Sequence, residues 1–169
     1  MEMIELMHQY YQSERNTAYL AAAIGMVFFA ASFILFQYFG NDRLIKGLSY
    51  AFFGASLFFI TAGVPVAIHN NRKMMEVKLS PQTNMELHQS EIERMGLVIT
   101  TGYRFALILF STLVICGLAI ILISPNDLWK GVGLGLLIIG TTGHSIETFS
   151  MKKNKAYQQK IEPINFKKI

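Results

Sequence analysis

The sequence predicts an all-α integral membrane protein, an antiparallel bundle of four transmembrane helices. Three observations carry that reading. Only 15% of the 169 residues are charged while 52% are hydrophobic, against roughly 25% charged in an average soluble domain. The apolar residues form long unbroken blocks instead of the one-sided stripes of a water-facing helix, as in a chain whose solvent is lipid. Two short turns rich in Gly, Asn, Asp or Pro join the blocks pairwise and make neighbours antiparallel.

The same composition narrows the partners. A net charge of +4 would suit nucleic acid in a soluble protein, but here the basic residues flank the apolar blocks, where lipid headgroups are closer. Nucleic acid is therefore not expected. Cys116 stands alone inside an apolar run, which leaves no disulfide framework and no Cys-based metal site. No Ala-x-Ala-like site follows the first block, so it reads as a signal anchor and not a cleaved peptide, and no Met-Gly or C-terminal Cys lipidation signature is present.

Residues 1–16 place Met3, Leu6, Met7 and Tyr10 at helical spacing among glutamates, which suits either a short cytoplasmic interfacial helix or a frayed tail. The first span, 17–39, has 23 residues without a charge, about 34 Å of helix. Ala21 and Gly25 form a small-xxx-small pair there, and Ala30, Ala31 and Ser32 add a second narrow surface for a neighbouring backbone. Residues 40–46 make the first turn. The second span, 44–68, is rich in Phe, and Pro65 predicts a kink because it leaves the Thr61 carbonyl without its helical partner.

Residues 69–95 read as a polar cytoplasmic loop. Ser80-Pro81 is a break, and Thr83-Asn84-Met85-Glu86 has the form of a capping box, so a helix is expected from about residue 84 and onward into the third span, 97–124. The purely apolar part, 105–124, is about 30 Å long and matches the hydrocarbon thickness, with Arg104 at its edge. Pro125-Asn126-Asp127 makes the second turn. The fourth span, 128–150, opens with Trp129 and Lys130 as interfacial anchors. Its Gly131, Gly133 and Gly135 leave a bare face, with Gly131 and Gly135 one Gly-xxx-Gly step, so this helix should be the most closely packed. Residues 151–169 form a basic cytoplasmic tail.

Short words recur between the halves. His8-Gln9 with Glu14-Arg15 is echoed by His88-Gln89 with Glu93-Arg94, and the run from Asn41-Asp42 to Lys46-Gly47 by Asn126-Asp127 to Lys130-Gly131. Two readings stand: a tandem, parallel repeat of two-span hairpins, or chance matches of polar words at membrane boundaries. Orientation follows from charge. The N-terminal segment, the central loop and the tail hold eleven Lys and Arg, the two turns three, so both termini are expected in the cytoplasm of a multi-pass plasma (inner) membrane protein.

The chemistry-bearing residues gather near the inner end of the fourth span. His144 and Glu147 are i and i+3 on one helix face, and His144 lies about 24 Å from the outer turn. Arg104 enters at similar depth. A Glu147–Arg104 pair with His144, Thr141, Thr142, Thr101 and Tyr103 would make a polar cluster at the inner mouth, since ionisable groups at membrane depth are costly unless paired or wet. Alternatively Arg104 snorkels to headgroups and Glu147 simply ends the span. A carboxylate-bridged metal site would need further ligands that the other apolar spans do not supply, and no cofactor is expected.

No nucleophile elbow or phosphate loop accompanies these residues, which points away from an enzyme. The expected function is binding, through the small-residue faces of spans one and four, of a membrane protein or membrane-inserting partner, for example by an accessory subunit or an immunity protein against a membrane-targeted toxin. A small homo-oligomeric channel or transporter subunit is the alternative, and an enzyme acting on lipid headgroups through His144 and Glu147 the third. Membrane lipids are partners in every case.

Overall fold

The charge-free blocks become helices because lipid offers the backbone no hydrogen-bond partner, whereas a helix satisfies its amides internally. The computed structural model describes residues 3–79 and 84–164. It contains α1 (Met3–Phe39), α2 (Arg43–Leu79), α3 (Asn84–Leu97), α4 (Tyr103–Ile123) and α5 (Asp127–Ile161). A single π-helical segment, Val98–Gly102, joins α3 to α4 without a break, so the two form one rod. No strand occurs among the described residues. Three of the four long helices, α1, α2 and the α3–α4 rod, are long and apolar enough to cross a membrane.

These helices overshoot the membrane. At 37 residues, α1 and α2 are each about 55 Å long, against a hydrocarbon thickness of about 30 Å. Residues 69–79, polar enough to read as loop, continue α2, and residues 151–161 of the basic tail continue α5. The reason is packing: the overhanging ends carry apolar stripes that bury one another. Met3, Leu6, Met7, Tyr10 and Tyr11 of α1 meet Met74 and Val77 of α2, Met95 of α3, and Tyr157 and Ile161 of α5. This core lies beyond the apolar spans and makes a head on the bundle. The Ser80-Pro81 break, Thr83 of the capping box and the tail lysines Lys167 and Lys168 lie outside the described residues.

The apolar half is built differently. Its small core holds Phe28, Ala55, Phe59 and Ile139, while large side chains face outward: Leu122 is 82% exposed, Ile123 80% and Tyr38 76%. Such a surface suits lipid. Ser32 and Ser49 lock α1 to α2 inside this half, each hydroxyl donating to the other's carbonyl at 2.8 Å.

Small residues set how closely the helices approach. A Cβ built on Gly25 would stand 2.9 Å from Ile60 of α2, and Ala21 packs on the same core. On α5, a Cβ at Gly131 would collide with the Leu44 carbonyl and one at Gly135 with Ala51, while one at Gly47 of α2 would collide with the Leu128 carbonyl. Gly47 and Gly131 thus face each other reciprocally across two parallel helices. Another face of α5 meets α4, where a Cβ on Gly117 would lie 2.6 Å from the Gly133 carbonyl and one on Gly133 2.7 Å from that of Gly117. Pro65 sits on the exposed side of α2, which stays helical before and after it. Both turns end in a side-chain cap: Asp42 Oδ1 accepts from the amides of Leu44 and Ile45, and Asn126 Oδ1 from that of Leu128.

Candidate functional site

The residues singled out near the end of the fourth span do not meet as one cluster. Arg104 is exposed on α4, and the ion pairs among the described residues are Lys73–Glu76, Arg94–Glu91 and Lys130–Asp127. The Glu147–Arg104 pairing is therefore not formed. His144 turns toward α4, with Nε2 3.3 Å from Ser111 Oγ and its ring beside Phe110. Thr141 is exposed and returns its hydroxyl to the Leu137 and Ile138 carbonyls. Thr142 and Tyr103 are half-buried and Thr101 is exposed. Snorkelling to headgroups is the reading that fits an outward Arg104.

Glu147 points elsewhere, into a cavity of about 190 Å3 between α1, α2 and α5 that it shares with Glu14. Thr17 and Ser150 complete its polar end, and Ala18, Ala21, Ala62, Gly63, Val66 and Ile146 its apolar end. Lys153 lies near but is engaged, donating to Thr17 Oγ1 at 2.9 Å and covering the Phe149 ring. Glu14 Oε1 is shut off from solvent without a hydrogen-bond partner among the described residues.

The densest polar chemistry lies in the head. Glu91 of α3 is only 3% exposed. Arg94, one turn on, grips it with two bonds, Nε to Oε2 at 2.9 Å and Nη2 to Oε1 at 2.7 Å, the fork geometry that makes arginine the fitting partner for a carboxylate. Tyr11 of α1 donates to Oε2 and Tyr157 of α5 to Oε1. Burial, reinforced by the Glu91 carboxylate, pushes both phenols far above their ordinary range, so they stay protonated and can donate. The Arg94 guanidinium lies over the rings of Tyr10 and Tyr11. Tyr10 stacks on Tyr157 and donates to Asn154 Oδ1 at 3.0 Å. One carboxylate thereby ties together α1, α3 and α5.

Beside this knot a hollow of about 410 Å3 opens between α1, α2 and α3. Met7, Val77 and Leu87 form its apolar wall, Tyr11, Ser90, Glu91 and Arg94 its polar side, and Lys73 and Glu76 its exposed rim. Sequence reasoning missed this region. Its signals were the Met3-Leu6-Met7-Tyr10 stripe and the i, i+3 pair Glu91–Arg94, but the partners stand 66 to 80 residues apart in the chain, beyond any local pattern.

Fold and site together define an all-helical protein with three helices able to span a membrane and a polar-cored head at one end of the bundle. No protein-family model matches the chain, and no curated protein or solved structure matches it either.

Proposed function

We propose that the protein crosses a plasma (bacterial inner) membrane four times, with both termini cytoplasmic, and acts by binding another polypeptide instead of by catalysis. Parity supports the fourth crossing. The start of α1, α3 and the end of α5 are joined by the Tyr10–Asn154 and Tyr157–Glu91 bonds, so all three share one side of the membrane. Once α4 has crossed away from that side, α5 must cross back. Its glycines contact α2 and α4 through their backbones, so it needs less apolar surface than a lipid-facing helix. The eleven basic residues on the head side, against three at the turns, support a cytoplasmic head. The reciprocal Gly47–Gly131 contact, between equivalent positions of the two hairpins, supports the tandem-repeat reading.

The observation that carries the binding function is the head itself, a folded layer outside the lipid with an open, half-apolar hollow of about 410 Å3. A concave surface with an apolar wall and a charged rim is what a partner's segment would use. The partner best matched to so small a membrane protein is another membrane protein or a membrane-inserting polypeptide, and a membrane-targeted toxin would make this chain an immunity protein. A channel built on Arg104, His144 and Glu147 draws less support, because Arg104 faces outward and Glu147 lies with Glu14.

Affinity purification of the tagged chain from its own membrane in mild detergent tests this. A stoichiometric partner should be recovered with the wild type and lost with Ser90→Trp, which fills the hollow, or Lys73→Glu, which reverses its rim. A clean monomer without a partner would overturn the reading.

A further inference from the structure

We infer that the cavity between α1, α2 and α5 receives the primary ammonium headgroup of a membrane lipid, an ethanolamine phospholipid. The inference rests on the membrane reading above but not on the polypeptide partner. Glu14 and Glu147 share that cavity, and neither belongs to an ion pair among the described residues. Two carboxylates at a membrane boundary are costly without a positive charge or a proton between them. Lys153, the nearby cation, is held on Thr17 and Phe149 instead. Glu14 Oε1 is in addition a buried acceptor with no donor, so the group that fits must bring N–H bonds as well as charge.

The shape of the cavity selects the carrier. Glu14 to Ala21 is seven residues, about 10 Å along α1. The cavity therefore runs from headgroup level, where Glu14, Glu147 and Ser150 stand, into the apolar zone between Ala21, Ala62 and Val66. A small soluble cation would use only the upper end. An amphiphile uses both, with its ammonium between the carboxylates and the start of its apolar part along the alanines. A primary ammonium supplies three donors; a quaternary choline head carries the same charge with none, and a glycerol headgroup lipid is anionic and is repelled.

The test uses the full chain in nanodiscs made from an equimolar mixture of phosphatidylethanolamine, phosphatidylcholine and phosphatidylglycerol. Recovery in the nanodisc fraction is read first and reports on the membrane reading alone; a chain that stays outside the nanodiscs overturns that reading and this inference with it. Native mass spectrometry of the released protein should then show phosphatidylethanolamine retained about tenfold over either competitor, as one charge-assisted hydrogen bond allows. Glu14→Gln with Glu147→Gln should abolish the preference. Ala62→Leu, which leaves both carboxylates and fills the apolar end, should also abolish it, and serves if the double variant fails to fold. Equal retention of the three lipids, or an unchanged preference in folded variants, would overturn the inference. Displacement by free ethanolamine at the lipid's own concentration would overturn the lipid as the source.

Discussion

A carboxylate taken out of water costs several kcal/mol unless its lone pairs are met, and the two oxygens of Glu91 are met by Arg94, Tyr11 and Tyr157. That arrangement makes Glu91 less a chemical group than a joint between helices. Glu91→Gln would keep the shape but turn an amide toward donors and leave Arg94 unpaired between two tyrosine rings. The expected loss is about 3 kcal/mol, the low end for a broken buried pair, because Arg94 is itself 35% exposed. Thermal or denaturant unfolding in one detergent, read against wild type, checks it. Glu76→Gln breaks only the exposed pair with Lys73 and should leave the midpoint almost unchanged; equal effects from the two substitutions would show that Glu91 is not the joint.

Helices were legible in the sequence to very different degrees. Spans lacking charge announce themselves, because lipid imposes one structure and one length on them. The overhangs do not. Residues 69–79 carry Arg72, Lys73 and Glu76, and nothing local distinguishes a solvated loop from a helix whose Met74 and Val77 are buried by α1 and α3. The glycines of α5 were legible as a close-packing face, but their mates were not, since a bare face does not name its neighbour. Gly131 meets α2 while Gly133 meets α4. Gly131→Ala should therefore cost about 1–3 kcal/mol by overpacking against the Leu44 carbonyl. Gly54→Ala, whose Cβ would meet nothing within 4 Å, should be neutral or stabilise by up to about 1 kcal/mol through helix propensity. Folded fractions of the two variants after identical heating in detergent decide between them, and a Gly131→Ala protein as stable as wild type would remove the α2–α5 contact from the argument.

At the scale of the molecule, the membrane half and the head obey opposite rules, and they cooperate through parity. The membrane half exposes its large side chains and buries small ones, which lets lipid act as its outer layer. The head buries its large side chains and pairs its charges, as a protein in water does. The candidate site was misplaced by sequence for this reason: attention went to ionisable residues inside a span, His144 and Glu147, while the convergent polar groups sit where four helix ends leave the bilayer. The long-range bonds of the head also make the topology testable at single residues. With Cys116, which is exposed on α4, replaced by Ser, single cysteines at Asn41 and Asp127 should react with a membrane-impermeant maleimide on intact cells. Cysteines at Gln12, Glu93 and Gln159 should react only after permeabilisation. The decisive position is Gln159. If α5 lay along the outer surface instead of crossing, Gln159 would label on intact cells while Gln12 and Glu93 stayed protected, and the Tyr10–Asn154 and Tyr157–Glu91 bonds could not then exist across the bilayer. Protection of all three head positions together is the result that a head assembled on one side of the membrane requires.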